Sequence, residues 1–364
     1  MSSAVQAQAN APTKKLVAEF RIDGAREELS KITNILPISN GDVAVMLEED
    51  VFGRLYSDKG LLKKKFLRRG GGPGEAKDAY ASGMIADTIW LFDRALQRYS
   101  LVKPNGNFLR SWPLQPIGPW QDASPDRKLF RFVWPLAMLP NNIVIGQLGA
   151  AATATASGEV TTRPIVRMTW QGVVNGVVNL NPRAARAMMV RAGGIISFGQ
   201  QPFDNAQEFG ISPNGTHTVF ADMKTAEKQP FFFLTDVSPK GDTVLRVKIP
   251  YTPDPVSART IDSTVSAYSR NNKDVQTQYR AALYIAPYWP AVLKLLVAND
   301  GTAWLQMHTN NGTRQWAVVS PQGRLMMKID LPKNIGLMRI DRGIWGTDLD
   351  SDDVPSIVRY KISN

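Results

Sequence analysis

Ser39-Asn40-Gly41-Asp42-Val43-Ala44-Val45-Met46 sets a pattern that the chain repeats: a polar turn ending in glycine, then an apolar strand. A second turn, Leu55-Tyr56-Ser57-Asp58-Lys59-Gly60, ends the next strand and opens another. Asn-Gly and Asp-Gly pairs supply the positive φ angles of tight hairpins. The same punctuation returns at Pro104-Asn105-Gly106, Pro213-Asn214-Gly215, Pro239-Lys240-Gly241, Asn299-Asp300-Gly301 and Pro321-Gln322-Gly323. Gly301-Thr302-Ala303-Trp304-Leu305 opens one unit, and Leu325-Met326-Met327-Lys328-Ile329 closes it. Paired turns of this kind define four-stranded antiparallel blades, with the ~40–50-residue spacing of propeller repeats.

The sequence therefore predicts an all-β, six-bladed β-propeller over residues 15–364. Complete blades are expected at about 30–67, 78–113, 131–180, 193–250 and 290–331. The segment 335–362 holds only three strands, and Lys15–Ile22 is expected to supply the fourth. That pairing closes the ring and removes two exposed sheet edges. Residues 256–284 break the pattern, with Ile261, Val265 and Tyr268 at helical spacing. They read as a short helical insertion between blades four and five. Residues 1–14 read as a flexible tail or signal-peptide remnant. Val5-Gln6-Ala7 and Ala7-Gln8-Ala9 fit the small-x-small cleavage pattern, although no apolar stretch precedes them.

Composition narrows the chemistry. There is no cysteine, which excludes disulfides, thiol nucleophiles and cysteine-held metal clusters. Two histidines, His217 and His308, leave little material for a histidine-rich metal site, and no partner near either in sequence forms a triad. The formal net charge of +11 favours an acidic partner or an anionic surface. Basic grooves with regularly interleaved aromatics are missing, which disfavours nucleic acid. No run approaches the ~18–20 apolar residues of a membrane span.

Leu67-Arg68-Arg69-Gly70-Gly71-Gly72-Pro73-Gly74-Glu75 resembles the GPGE loop of exported six-bladed propellers related to the NHL-repeat group, in the version abundant in gemmatimonad-type bacteria. Ile249–Val256, Leu295–Trp304 and Asp353–Tyr360 are similar to the same proteins. The resemblance implies the fold and export to the periplasm or cell exterior. It says little about activity.

The motifs that could carry catalysis fail on inspection. In Gly70–Gly74, Pro73 removes a donor and no Gly-Lys-[Ser/Thr] leads into a helix, so a structural inter-blade turn is expected rather than a phosphate cradle. Asp348–Asp353 lacks the glycine and glutamate of an EF-hand, so a solvated acidic turn is expected. No catalytic residue, metal ligand or cofactor is assigned.

What stands out is a face. Arg68, Arg69, Trp112, Trp120, Arg183, Arg186, Met188, Met189 and Arg191 are placed in connections between blades. Trp134 is placed there too. Arginine beside tryptophan and methionine is the enriched composition of protein interfaces. The expected function is a non-catalytic scaffold. It would be a membrane-extrinsic periplasmic subunit docking on an acidic face of a membrane protein complex, with a photosynthetic reaction-centre complex as one candidate. A membrane surface is a further candidate partner. The competing expectations are a metal-dependent hydrolase or lyase with its site over the channel, and a small-ligand or glycan sensor.

Overall fold

The computed structural model describes residues 11–49, 51–114, 130–140, 143–150, 162–179, 186–192, 195–204, 207–224, 229–269, 272–310 and 312–363. They form six four-stranded antiparallel blades arranged as a propeller. Blade one comprises Ile32–Pro37, Val43–Leu47, Val51–Tyr56 and Leu62–Arg69, named from the channel outward. Blade two comprises Ala79–Ile85, Thr88–Asp93, Arg98–Val102 and Phe108–Pro113. Blade three comprises Phe130–Leu139, Ile143–Ala150, Ile165–Thr169 and Val174–Asn179. Blade four comprises Glu208–Ile211, Thr218–Lys224, Phe231–Val237 and Thr243–Pro250. Blade five comprises Val292–Val297, Ala303–Met307, Arg314–Val319 and Leu325–Leu331. Blade six comprises Ile335–Ile340, Ile344–Leu349, Pro355–Ile362 and, outermost, Leu16–Ile22.

The turn glycines do what their positions require. Gly41 and Gly301 sit at φ +90° and +86°, and each N–H closes its turn onto a carbonyl three residues back. The second strands are buried on both faces because neighbouring blades cover both sides. All five residues of Val43–Leu47 are buried. Such strands read as short continuous apolar runs rather than as alternation.

The ring closes between distant segments. Leu16 pairs with Ile362 and Ile22 with Ile357. Gly24 N–H donates to Ser356 Oγ at 3.1 Å, and a side chain there would meet the Pro355 carbonyl at 2.1 Å. The tail assigned to 1–14 is shorter than expected, because Thr13 and Lys14 add a parallel strand to the outer edge of blade five.

Two helices lie between blades four and five, as expected: α1 (Ala258–Tyr268) and α2 (Lys273–Ala282). Ser257 caps α1 by accepting from Thr260 N–H. Val265 is buried, whereas Tyr268 is exposed and stacks on Tyr279.

Blade four starts later than residue 193. Ala187–Ala192 and Ile195–Gln200 form a separate hairpin. It ends at Gln201, whose amide donates to the Ala282 carbonyl and accepts from Tyr284 N–H, both at 2.8 Å. This ties the hairpin to the helical insertion rather than to the blade. Among the described residues no helix is long and apolar enough to cross a membrane.

Candidate functional site

Four antiparallel strands return the chain to the face where the blade began, so all connections between blades share one face. Arg68 and Arg69 end the outer strand of blade one there, both exposed. Arg186 and Arg191 are also exposed, and the Arg186 guanidinium lies 3.7 Å from the Tyr284 ring centroid. The aromatic and sulfur anchors differ from expectation. Trp112 lies in a strand, not a loop, and is 6% exposed. It stacks on Tyr99 at 5.6 Å and meets the edge of Trp170 at 4.9 Å, filling the space between blades two and three. Trp134 likewise belongs to a strand of blade three. Met188 is buried in a hairpin strand that packs on α2, while Met189 is half-buried. Burial removes Trp112 and Met188 from any contact surface. Trp120 and Arg183 lie outside the described residues.

The basic character instead concentrates on the edge of blade one. Its outer strand carries Lys63, Lys64, Lys65, Arg68 and Arg69 and no acid. Lys63 pairs with Asp42 at 2.7 Å. Arg69 donates to the Lys77 carbonyl and covers the Phe52 ring. Lys64, Lys65 and Arg68 are exposed and, among the described residues, unpaired, next to exposed Leu61 and Leu62. The outer strand of blade four is less basic, and its Arg246 and Lys248 lie over phenylalanine rings.

The glycine-rich loop is structural. Glu75 accepts from Gly72 N–H at 2.8 Å, so a carboxylate of the chain itself already occupies the loop. Arg98 from blade two donates to the carbonyls of Gly71, Gly72 and Glu75 at 2.8–3.0 Å. The acidic turn folds on itself: Asp350 accepts from the N–H groups of Asp352 and Val354, both at 2.9 Å.

Neither histidine is isolated, contrary to the sequence reading. His217 Nδ1 lies 2.7 Å from Asp236 Oδ2 within blade four. His308 Nε2 lies 2.7 Å from Asp254 Oδ2, joining a loop of blade five to the segment that follows blade four. A carboxylate cannot donate, so His308 Nε2 is the donor in this contact. His308 is stacked on Trp289 at 4.9 Å, and the edge of Trp289 meets buried Phe203. This wall borders a cleft of about 510 Å³ between blades four and five. Phe232, Leu305, Met307 and Leu325 line its apolar part. Tyr251, Gln315 and Lys328 add polar groups. Burial, with Tyr288 nearby, pushes the Tyr251 phenol up.

The central channel has a different chemistry. Asn34, Ser82 and Arg339 are among its polar lining. At its mouth, Asp341 pairs with Arg339 at 3.0 Å and Asp87 with Arg342 at 3.3 Å. Burial alone would raise Asp87, but hydrogen bonds from Ser39 and the Arg342 guanidinium hold its carboxyl below the usual range. Both mouth carboxylates are thus committed to arginines. Among the described residues no three histidines or carboxylates gather as a metal site would require.

The chain is similar in structure to a member of the DUF4221 family from Bacteroides vulgatus, with a TM-score of 0.50, 10% identity and coverage of 98% of this chain and 100% of that one. It is also similar to an exported-type protein from Bacteroides fragilis, with a TM-score of 0.46, 10% identity and 96% of each chain covered. A streptogramin B lyase gives a TM-score of 0.43 at 10% identity, over 96% of this chain and 97% of that one. At such identities the likeness speaks to the fold alone, a six-bladed propeller. No protein-family model matches the chain, and no curated protein matches it.

Proposed function

We propose that the chain is an exported, non-catalytic binding module that docks on an acidic partner protein, with a membrane protein complex as the partner class and a photosynthetic reaction-centre complex as one member of it. The NHL-like kinship suggested by the Gly70–Glu75 loop belongs to the same reading. One observation supports it most: the unpaired Lys64, Lys65 and Arg68 on the outer strand of blade one, beside Leu61 and Leu62. Like-charged groups without acidic neighbours raise the local potential and steer an acidic partner, while adjacent apolar side chains supply contact area. The docking centre moves accordingly, from the tryptophan and methionine set toward blade one, where Arg69 ends the same strand.

Lysines also guard edge strands against pairing with other sheets. The two roles separate experimentally. Lys64→Gln, Lys65→Gln and Arg68→Gln together are added to membranes stripped of extrinsic proteins, and retention is measured across a salt series. Docking requires slower association and a flatter salt dependence than wild type. Unchanged retention with increased self-association assigns these residues to edge protection and overturns the docking surface.

A further inference from the structure

The cleft between blades four and five is not part of that docking surface, and its chemistry points to a different ligand. Its volume of about 510 Å³ falls within the ~300–1,000 Å³ of small-molecule sites. Such sites join an apolar body to a few placed polar groups. Here the half-buried Ile249, Met307, Ala317 and Leu325 supply the apolar wall, with Phe232 and Leu305 buried behind it. Lys328 pairs across the sheet with Ala317, so both side chains lie on the cleft side of blade five. Among the described residues the Lys328 ammonium has no ion-pair partner, and the buried Tyr251 hydroxyl makes no hydrogen bond, so a donor inside the wall is left unsatisfied. An orphaned buried donor is costly to the fold unless something meets it.

We propose that this cleft binds a small amphipathic carboxylate, its apolar chain or ring against the half-buried Ile249, Met307, Ala317 and Leu325 and its carboxylate on Lys328. Tyr251 is a second donor to the same ligand. Asp254 also lines the cleft, in the segment after blade four, but its carboxylate is engaged by His308, whereas Lys328 stands mid-strand opposite Ala317. A sugar fits less well. Sugars favour an open aromatic face, but Trp289 already stacks on His308, with planes 14° apart, and packs edge-to-face with buried Phe203.

Isothermal titration of the full chain tests the idea with octanoate and 3-phenylpropionate, their uncharged amides and glucose. The acids should bind saturably, with each amide at least about tenfold weaker, the scale of one charge-assisted hydrogen bond. Lys328→Gln should abolish the difference between acid and amide while leaving unfolding unchanged. Ala317→Leu, which fills the cleft, should weaken acid and amide alike. Lys328→Gln changes a half-buried outer-strand side chain and carries the charge test by itself if Ala317→Leu does not fold. No acid binding at millimolar concentration, equal binding of acid and amide, or unchanged binding in Lys328→Gln overturns the proposal. Binding of glucose in place of the acids makes the cleft a carbohydrate site and overturns it equally.

Discussion

Arg339 and Asp341 form an ion pair at 3.0 Å at the mouth of the channel, with side chains only 11% and 10% exposed. The second carboxylate oxygen of Asp341 accepts from Asn299 of blade five at 3.2 Å. Asp341→Ala should therefore strand a buried guanidinium and cost about 3–5 kcal/mol. The double change Arg339→Leu with Asp341→Leu should cost much less, because no charge is left unpaired. Urea unfolding of the three proteins checks the ordering. A double variant as unstable as Asp341→Ala would show that the loss comes from shape rather than charge.

Trp112→Ala should destabilise by about 3–5 kcal/mol, since it empties the contact with Tyr99 and Trp170. Partner binding by the folded fraction should not change. Thermal unfolding combined with a binding titration on folded protein separates the two. Weakened binding at full folding would return Trp112 to the interface.

Glu208, on the innermost strand of blade four, gives the molecule a pH dependence. Burial pushes its carboxyl up to about 7, and the Lys294 ammonium of blade five only partly opposes this. Below the ordinary value near 4.5, folded and unfolded chains both hold the proton. Between 4.5 and 7 only the folded chain keeps it, so stability falls as pH rises, by a total on the order of 3 kcal/mol. Glu208→Gln should flatten this slope. Denaturant midpoints at pH 5 and pH 7.5 measure it, and an equal slope in wild type and variant would refute the assignment.

The glycine-rich loop should respond unequally to alanine. A side chain on Gly70 would stand 2.1 Å from Glu75 Oε2, the atom that accepts from Gly72 N–H, whereas one on Gly71 meets nothing within 4 Å. Gly70→Ala must displace Glu75 and lose that hydrogen bond, at about 1 kcal/mol. Gly71→Ala should be close to neutral. Comparison of their melting temperatures tests the point, and equal shifts would mean that Glu75 does not organise the loop.

The blade count, the closing strand and the helical insertion were legible because glycine turns and helical spacing are local signals. Residues 195–200 misled because a separate hairpin has the same strand chemistry as a blade. The connection around Trp112 misled because proline beside tryptophan looks like a loop, although Phe108–Pro113 runs as a strand with its indole in the core. The partners of His217 and His308 were not legible. Asp236 and Asp254 lie 19 and 54 residues away, and only the arrangement of strands and blades brings them into contact. The free cations of blade one, Lys64, Lys65 and Arg68, stand in a basic run of the sequence, but that Lys63 meets Asp42 while these three meet no acid among the described residues is a property of the folded edge.

The strand Leu16–Ile22 has its partner at Pro355–Ile362. A ribosome makes the first of these segments long before the second, so blade six stays incomplete while blades one to five are made. During that time the early strand lacks the partner it has in the folded ring. The circle is a late event by construction, and the nascent chain remains threadable, in the sense of a string not yet tied, until residues 355–362 have been added.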